Sequence, residues 1–191
     1  EEITLSSQKE ANFRNKEQFW ATIGGMGLTG IIIEATFSII PIETSYITEE
    51  KCRYTNLDDL MKDMEKVDRQ YKYSVAWLDS MNTDFRGVLT CGNHIQKKEI
   101  KDLISKSYLT FNPKSFFKIP SFIPISLMNK YIIKLFNELW FKKATKKVSK
   151  RIISIEKFFY PLDAIQNWNN IYGKKGFIQY QIVVPEEHYA L

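Results

Sequence analysis

The fold is decided by residues 19–30, FWATIGGMGLTG, which run directly into the apolar segment 31–40, IIIEATFSII. Four of the seven residues from Gly24 to Gly30 are glycines. Glycine adopts positive φ angles at little cost and lets another group approach the main chain closely. A turn built mainly from glycine therefore predicts a place where a ligand touches the backbone.

Gly25, Gly27 and Gly30 spell G-x-G-x-x-G, but their surroundings exclude a dinucleotide fold of the Rossmann type. That fingerprint follows a strand and opens a helix, because the pyrophosphate sits at the helix N-terminus. Here the order is reversed. Residues 16–23 predict a short helix, and the β-branched segment 31–40 predicts a strand. No Gly-Lys-Ser/Thr follows, so a nucleoside-triphosphate loop is excluded as well.

A predicted helix, glycine turn and strand with this amino-acid sequence resemble a segment of the FAD-dependent oxidases of the vanillyl-alcohol oxidase superfamily. The nearest resemblance within it is to the decaprenylphosphoryl-β-D-ribose 2-oxidase family. Other segments are similar to motifs of that family and occur in the same order: YSVAWLD (73–79), RGVL (86–89), NKY (129–131), NELWFKK (137–143), FYPLD (159–163) and GFIQYQ (176–181). Several ordered motifs are far more specific than any one of them.

The resemblance implies that the glycine turn contributes to an FAD site. The cofactor-binding residues carried over from the family are Gly25, Gly27, Thr29, Gly30 and Ile31. Backbone N–H groups beside glycines can reach a flavin or its phosphates. Without the resemblance, an ordinary turn between a helix and a strand explains the same residues.

Four residues are candidates for substrate binding: Trp77, Phe159, Gln179 and Gln181. The two glutamines are two positions apart in a predicted strand, so they share a face and can offer paired donors and acceptors to vicinal hydroxyls. A solvent-exposed sheet edge is the alternative for them, and a core aromatic is the alternative for Trp77. The family has a tyrosine where Phe159 stands, so one hydroxyl is missing. The resemblance places the catalytic base beyond Leu191, and we assign no catalytic residue within the chain.

The mixture of elements predicts an α+β fold, with a mainly antiparallel sheet covered by helices. Residues 1–42 are expected to be the C-terminal part of an FAD-binding domain, and residues 43–191 an incomplete substrate-binding domain. We expect the chain to be an internal fragment of a longer enzyme. The further predicted elements are a helix that begins after Asn56, strands at 73–78 and 87–91, a loop at 111–124, a helix at 125–143, a strand at 152–160, a helix at 162–172 and a strand at 177–184.

Charge is concentrated in residues 106–151, which hold eleven basic residues and one acid, Glu138. Three interpretations stay open: a surface for anionic membranes or lipid phosphate, a nucleic-acid surface, and a solvated helix face with a loop. Nucleic acid ranks last because no binding motif for it occurs. No apolar run reaches the roughly 18 residues of a membrane span. Two cysteines and two histidines, without clustering, predict no metal site.

The resulting prediction is an FAD-dependent oxidoreductase that oxidises a sugar hydroxyl by hydride transfer to flavin. A polyprenyl-phosphate-linked pentose is the expected substrate, in cell-wall polysaccharide biosynthesis, with a partner reductase implied by the resemblance. The expected location is cytoplasmic, or peripheral at the inner membrane face. The alternatives are a soluble sugar-lactone oxidase and a basic membrane- or nucleic-acid-binding module without catalysis. The fragment alone is not expected to hold FAD tightly or to turn over.

Overall fold

The chain divides into two units, Glu1–Pro41 and Ile42–Leu191. The computed structural model describes residues 13–100, 107–120 and 129–185. Helices and strands alternate irregularly along the larger unit, and its main sheet is antiparallel. The predicted α+β class is therefore confirmed.

The smaller unit contains helix α1, Phe13–Ile23, which confirms the helix predicted at 16–23 and begins three residues earlier. The glycine turn follows it directly. The predicted strand at 31–40 is wrong, because residues 31–42 hold no regular structure. A strand needs a neighbour to receive its backbone hydrogen bonds, and none of the described residues pairs with this segment. Its apolar side chains are instead exposed, with Ile31 94% accessible.

Four antiparallel strands form the sheet of the larger unit, in the order β2-β3-β1-β5. They are β1, Tyr46–Tyr54; β2, Tyr73–Leu78; β3, Gly87–His94; and β5, Ser149–Ser154. The predicted strand at 73–78 is confirmed, and the one at 87–91 extends further. The register places Trp77 opposite Val88 and Ile47 opposite both His94 and Ile153. This sheet is the frame on which the candidate site is built.

Helix α2, Leu57–Asp68, packs against the sheet and begins where the sequence predicted. The side chain of Asn56 accepts a hydrogen bond of 2.8 Å from the backbone N–H of Asp59. Asp58 and Asp59 lie in the first turn, where carboxylates favour the positive end of the helix dipole. Leu60, on the apolar face of the helix, is completely buried.

Helix α4, Lys130–Lys143, confirms the described part of the predicted helix at 125–143; positions 125–128 lie outside the described residues. Asn129 caps it by accepting from the N–H groups of Tyr131 and Ile132 at 3.1 Å. The described part of the predicted loop at 111–124 is irregular, apart from β4, Phe117–Lys118, which pairs in parallel with β6, Ile165–Gln166. A short helix α3, Lys97–Ile100, precedes it.

Three predictions in the last part of the chain are wrong. The strand at 152–160 ends at Ser154 because its partner β1 begins at Tyr46, the residue opposite, and helix α5, Ile155–Phe159, follows. In place of a helix at 162–172 there are two 3₁₀ segments, Pro161–Ala164 and Trp168–Lys175, on either side of β6. Asn167, with a left-handed φ of 56°, interrupts them. Residues 177–184 form no strand.

The core lies on both faces of the sheet and beneath its flanking segments. Val88, Phe141 and Ala144 form one buried cluster, and Trp77 packs against it. The other buried apolar residues among those described are Ile47, Leu60, Leu89, Cys91, Ile95, Ile100 and Ile119. Cys91 and the half-buried Cys52 carry free thiols.

Candidate functional site

The glycine turn of the smaller unit combines left-handed backbone with open space. Met26 and Gly27 both have positive φ, 51° and 79°, and Gly30 has a φ of 143°. The N–H of Leu28 donates to the carbonyl of Gly25 at 2.8 Å and closes the turn. A methyl group on Gly27 or Gly30 would meet no atom within 4 Å, so the main chain is accessible there. Gly25 differs, since a methyl group there would lie 2.5 Å from the carbonyl oxygen of Ala21.

One face of the main sheet carries two of the predicted substrate residues at opposite ends. Tyr73, Val75 and Trp77 alternate to the same side of β2. At one end, the ring centroids of Phe159 and Tyr73 are 4.9 Å apart. At the other end, Trp77 packs on the cluster that includes Phe141 of α4. Val75 lies between them and is 59% exposed. We call this surface the open face.

Charged and polar side chains fill the middle of the open face. In the register, Thr90 pairs with both Val75 and Lys51, and Glu49 pairs with Arg151. Glu49 is buried and accepts from Arg151 and, at 3.2 Å, from Lys51. Burial raises the pKa of Glu49, but the hydrogen bond from Arg151 and the charge of Lys51 outweigh it and hold the pKa below its usual value. This carboxylate stays ionised at neutral pH.

The sequence interpretation missed this polar centre. Glu49 and Arg151 are 102 residues apart, and only the β1–β5 register brings them together. The signal that was available is local to β1, where Ile47, Glu49, Lys51 and Arg53 alternate to one face. Charged residues at alternate positions of an inner strand indicate a polar surface with partners rather than a dry core.

Gln179 and Gln181 do not lie on a strand, so their predicted common orientation has no support from the backbone. They belong to residues 176–185, which lack regular structure, and both are exposed. The segment is fixed at its start by Phe177, whose ring stacks on Tyr172 at a centroid distance of 3.9 Å. Phe159 also lies in a helix and not in the predicted strand. It ends the short helix α5, and Tyr160 follows as the cap residue.

A tyrosine and a histidine interact beside Phe159. The hydroxyl of Tyr73 and Nε2 of His94 are 3.2 Å apart, and Nδ1 of His94 is buried without a hydrogen-bond partner. Burial lowers the pKa of His94, and the nearby charge of Lys72 lowers it further. His94 is therefore mainly neutral at pH 7, and Nε2 of its ring forms a hydrogen bond with the Tyr73 hydroxyl, with the donor set by the ring tautomer.

Three sequence motifs meet in one partly buried polar cluster. Asp79, from the YSVAWLD segment, binds Nε and Nη2 of Arg86, from RGVL, at 3.1 and 3.0 Å. Asn137, from NELWFKK, donates to Asp79 at 2.6 Å. Glu138, beside it, accepts from Arg86 at 2.6 Å. We call these four residues the motif cluster. It fastens α4 to β2 and β3 and so sets the position of Trp77.

Similarity to known proteins identifies the family. Over 177 residues the chain is 33% identical to decaprenylphosphoryl-β-D-ribose oxidase of Mycolicibacterium smegmatis, a match that covers 91% of this chain. The chain belongs to this oxidase family. It spans 38% of the length of that relative. Over 104 residues it is also 30% identical to an uncharacterised protein of Streptomyces coelicolor. No protein-family model matches.

Membership of this oxidase family changes how the quoted motifs are understood. The motif cluster shows that three of them share a structural task in this chain, namely to hold α4 on the sheet. The glycine turn and the polar centre of the open face lie outside that task, although Trp77 at one end of the open face depends on it. They are therefore the parts of the chain where family chemistry is to be sought. Among residues 13–100, 107–120 and 129–185, histidine, cysteine and carboxylate side chains form no group of three or more that could hold a metal ion. In the same described ranges no helix is long and apolar enough to cross a bilayer.

Proposed function

We propose that this chain is part of an FAD-dependent oxidoreductase that oxidises a hydroxyl of a polyprenyl-phosphate-linked pentose. The observation that carries the proposal is the similarity, over 91% of the chain, to a relative named for the oxidation of decaprenylphosphoryl-β-D-ribose. The oxidation requires a hydride acceptor, a surface that orients the sugar and a group that takes the hydroxyl proton.

The glycine turn fits a flavin nucleotide. Gly27 and Gly30 leave the space beside the main chain open, and their positive φ values aim successive backbone groups in directions that a regular helix or strand does not reach. Thr29 adds a hydroxyl, and Ile31 an exposed apolar side chain. In this proposal these residues, with Gly25, hold FAD, which when bound supplies the acceptance of hydride from the sugar carbon.

The open face combines apolar rings with hydrogen-bonding groups, which together suit a sugar ring and its hydroxyls. Trp77 and Phe159 provide flat apolar walls, and Thr90 provides a hydroxyl between them. Arg151, with its side chain 53% exposed, and Lys51 both donate to the buried carboxylate of Glu49, so each of the three charges has a partner of opposite sign. A neutral polyol can bind such a surface, because no isolated charge has to be desolvated. Gln179 and Gln181 remain candidate sugar contacts.

The hydroxyl that is missing at Phe159, where the family has a tyrosine, has a possible replacement in the neighbouring Tyr73. Tyr73 contacts the Phe159 ring and directs its hydroxyl at His94. A sugar hydroxyl that approaches this end of the open face would meet the Tyr73 hydroxyl as a donor or an acceptor. The proposal assigns Tyr73 a role in orienting the substrate, and it leaves the proton acceptor unassigned.

The test uses the full-length protein. We expect the purified protein to be yellow, with flavin absorption near 450 nm, at about one FAD per chain. Gly27→Ala places a side chain at a φ of 79° and should lower the flavin content. Gly24→Ala is the matched control, since Gly24 has no positive φ and a methyl group there meets nothing within 4 Å. A colourless protein would refute the assignment of FAD.

A second measurement tests the substrate. The full-length protein is assayed with polyprenylphosphoryl ribose and with free aldonolactones, with flavin reduction as the readout. Reduction by the lipid-linked ribose is the expected result. Reduction by the lactone alone would replace the proposal with a soluble sugar-lactone oxidase. Phe159→Tyr should strengthen binding of the favoured sugar if this end of the open face contacts it.

A further inference from the structure

Tyr73 and His94 form a hydrogen-bonded pair at one end of the open face. Nε2 of His94 lies 3.2 Å from the Tyr73 hydroxyl, and the two rings meet edge to face with their centroids 5.5 Å apart. Tyr73 pairs with Gly92 in the β2–β3 register, and His94 follows Gly92 on the same side of β3. The pair is therefore positioned by two neighbouring strands of the sheet and not by a loop.

Aromatic rings confine the side chain of Tyr73. The Phe159 ring meets it edge to face at a centroid distance of 4.9 Å, and the Phe158 ring lies at 6.2 Å. The His94 ring in turn lies 6.5 Å from that of Phe159. With the Tyr73 ring held in this way, the remaining freedom is the rotation of the hydroxyl hydrogen about its C–O bond. The partners of the hydroxyl therefore decide where that hydrogen points.

The second ring nitrogen of His94 indicates which partner donates. A neutral imidazole carries its hydrogen on Nδ1 or on Nε2, and the other nitrogen is an acceptor. Nδ1 of His94 is buried and has no hydrogen-bond partner among the described residues. An unpaired N–H is rarer in protein interiors than an acceptor with an unfilled lone pair. The hydrogen is therefore best placed on Nε2, from which it donates to the Tyr73 hydroxyl.

A Tyr73 hydroxyl that accepts from His94 keeps its own hydrogen for another acceptor. Within the part of the chain that the structure describes, the hydrogen bond with His94 is the one that this hydroxyl forms. We propose that His94 is a positioning residue, which donates from Nε2 and thereby directs the Tyr73 hydrogen to an oxygen of the bound sugar. The sugar in this inference rests on the proposed function, whereas the direction of the hydrogen bond does not.

The inference gives Tyr73 a defined part in the oxidation. A neutral phenol that donates its hydrogen to the sugar orients the sugar and does not take the proton of the reacting hydroxyl. Loss of a general base lowers kcat by about 10²- to 10⁴-fold. Loss of a contact made equally in the ground and transition states raises KM and leaves kcat unchanged. These two outcomes distinguish a base from an orienting donor.

The first measurement determines the ring tautomer without substrate. Full-length protein, isotopically labelled in its histidine rings, is studied by NMR at neutral pH, and the signals absent from His94→Gln are assigned to His94. We expect the Nε2 resonance of a protonated nitrogen and the Nδ1 resonance of an unprotonated one. A hydrogen on Nδ1 would overturn the inference, because the Tyr73 hydroxyl would then donate to His94.

The second measurement is turnover of the full-length protein with polyprenylphosphoryl ribose and an electron-accepting dye. Tyr73→Phe should raise KM about fivefold with little change in kcat, since one neutral hydrogen bond is lost. His94→Leu should raise KM about threefold, since the hydroxyl stays but loses its fixed direction. His94→Gln has an amide N–H that can donate and should restore most of this loss. Gln96→Leu, which alters an exposed residue beyond β3, is the control and should behave as the parent does.

The double variant Tyr73→Phe/His94→Leu separates positioning from a structural role. Without the Tyr73 hydroxyl, His94→Leu should raise KM no further. An equal increase with and without the hydroxyl would overturn the inference, as would a fall in kcat of about 100-fold or more in Tyr73→Phe. A parent whose flavin is not reduced by the lipid-linked ribose would refute the proposed function instead. The ring tautomer would then still decide the direction of the hydrogen bond between His94 and Tyr73.

Discussion

Removal of the Asp79 carboxylate tests whether the motif cluster holds α4 on the sheet. Asp79 is 3% exposed and accepts from Arg86, from Asn137 and, at 3.2 Å, from the N–H of Met81. In Asp79→Ala, the guanidinium of Arg86, 15% exposed, loses one of its two carboxylates, and the amide of Asn137, 8% exposed, loses its acceptor.

The expected cost follows from those partners. Breaking a buried ion pair costs about 3–5 kcal/mol, and an orphaned buried amide about 1–3 kcal/mol. Because Arg86 keeps Glu138 at 2.6 Å, the lower end applies to the ion pair. Added to the cost of the orphaned amide, this gives an expected loss of about 4–6 kcal/mol in the free energy of unfolding for Asp79→Ala. Asp79→Asn keeps the shape and one acceptor oxygen, so it should cost about half as much.

The assay is urea unfolding of the full-length protein, followed by tryptophan fluorescence, together with amide hydrogen exchange. Amide exchange should accelerate more in α4 than in the strands of the sheet, because the lost contacts join α4 to the end of β2. Asp84→Ala is the control, since Asp84 is exposed in the same turn and should change the free energy by no more than about 0.5 kcal/mol. A loss below about 1 kcal/mol for Asp79→Ala, or unchanged exchange in α4, would refute the reasoning.

Three further predictions concern the open face. Glu49 has a folded pKa below its ordinary value of 4.5, so its contribution to stability is present above that pH and is lost as the pH falls through the folded pKa. In Glu49→Gln, the free energy of unfolding, measured with urea at a series of pH values, should fall less steeply toward acid pH than in the parent. Gly92→Ala should destabilise the protein by about 1–3 kcal/mol in the same assay, because a methyl group there would lie 2.9 Å from the ring of Phe158; an unchanged midpoint would contradict that packing. His94 has a folded pKa below 6.5, so stability is complete above that pH and declines as the pH falls below it. Lys72→Gln should raise the pKa of His94 in an NMR titration of its ring, and an unmoved titration would exclude the charge effect.

Local signals in the sequence predicted the elements whose causes are local. The cap of α2 needs only Asn56 and the acidic residues after it, and both are visible in the sequence. Helix α1 and strand β2 likewise follow from short-range patterns. The fold class followed from the order of these elements, and the family resemblance, which the similarity to known proteins has confirmed, followed from several ordered motifs.

The errors arose where a strand depends on a partner. Residues 31–40 and 177–184 have the β-branched and apolar composition of strands, yet none of the described residues pairs with either segment. The strand predicted to run to Tyr160 stops at Ser154 because β1 offers no residue beyond Tyr46. Composition reports what a strand prefers, and it does not report where the neighbouring strand ends.

The polar centre of the open face and the motif cluster were missed for the same reason. Glu49 meets Arg151 across 102 residues, and Asp79 meets Asn137 across 58. Alternation along β1 marks Glu49 as part of a polar face, but nothing local in the sequence identifies Arg151 or Asn137 as the distant partners. Asp79, Arg86 and Asn137 belong to segments that resemble family motifs, but the sequence does not show that these residues meet and join α4 to β2 and β3.

The motif cluster bears on how distant members of this family are recognised. Asp79, Arg86, Asn137 and Glu138 come from three of the segments that single out the family, and here they bind one another and join α4 to the ends of β2 and β3. Natural selection for a stable scaffold alone would preserve them after the reaction had been lost. The presence of these segments in a homologue therefore does not by itself indicate oxidase activity.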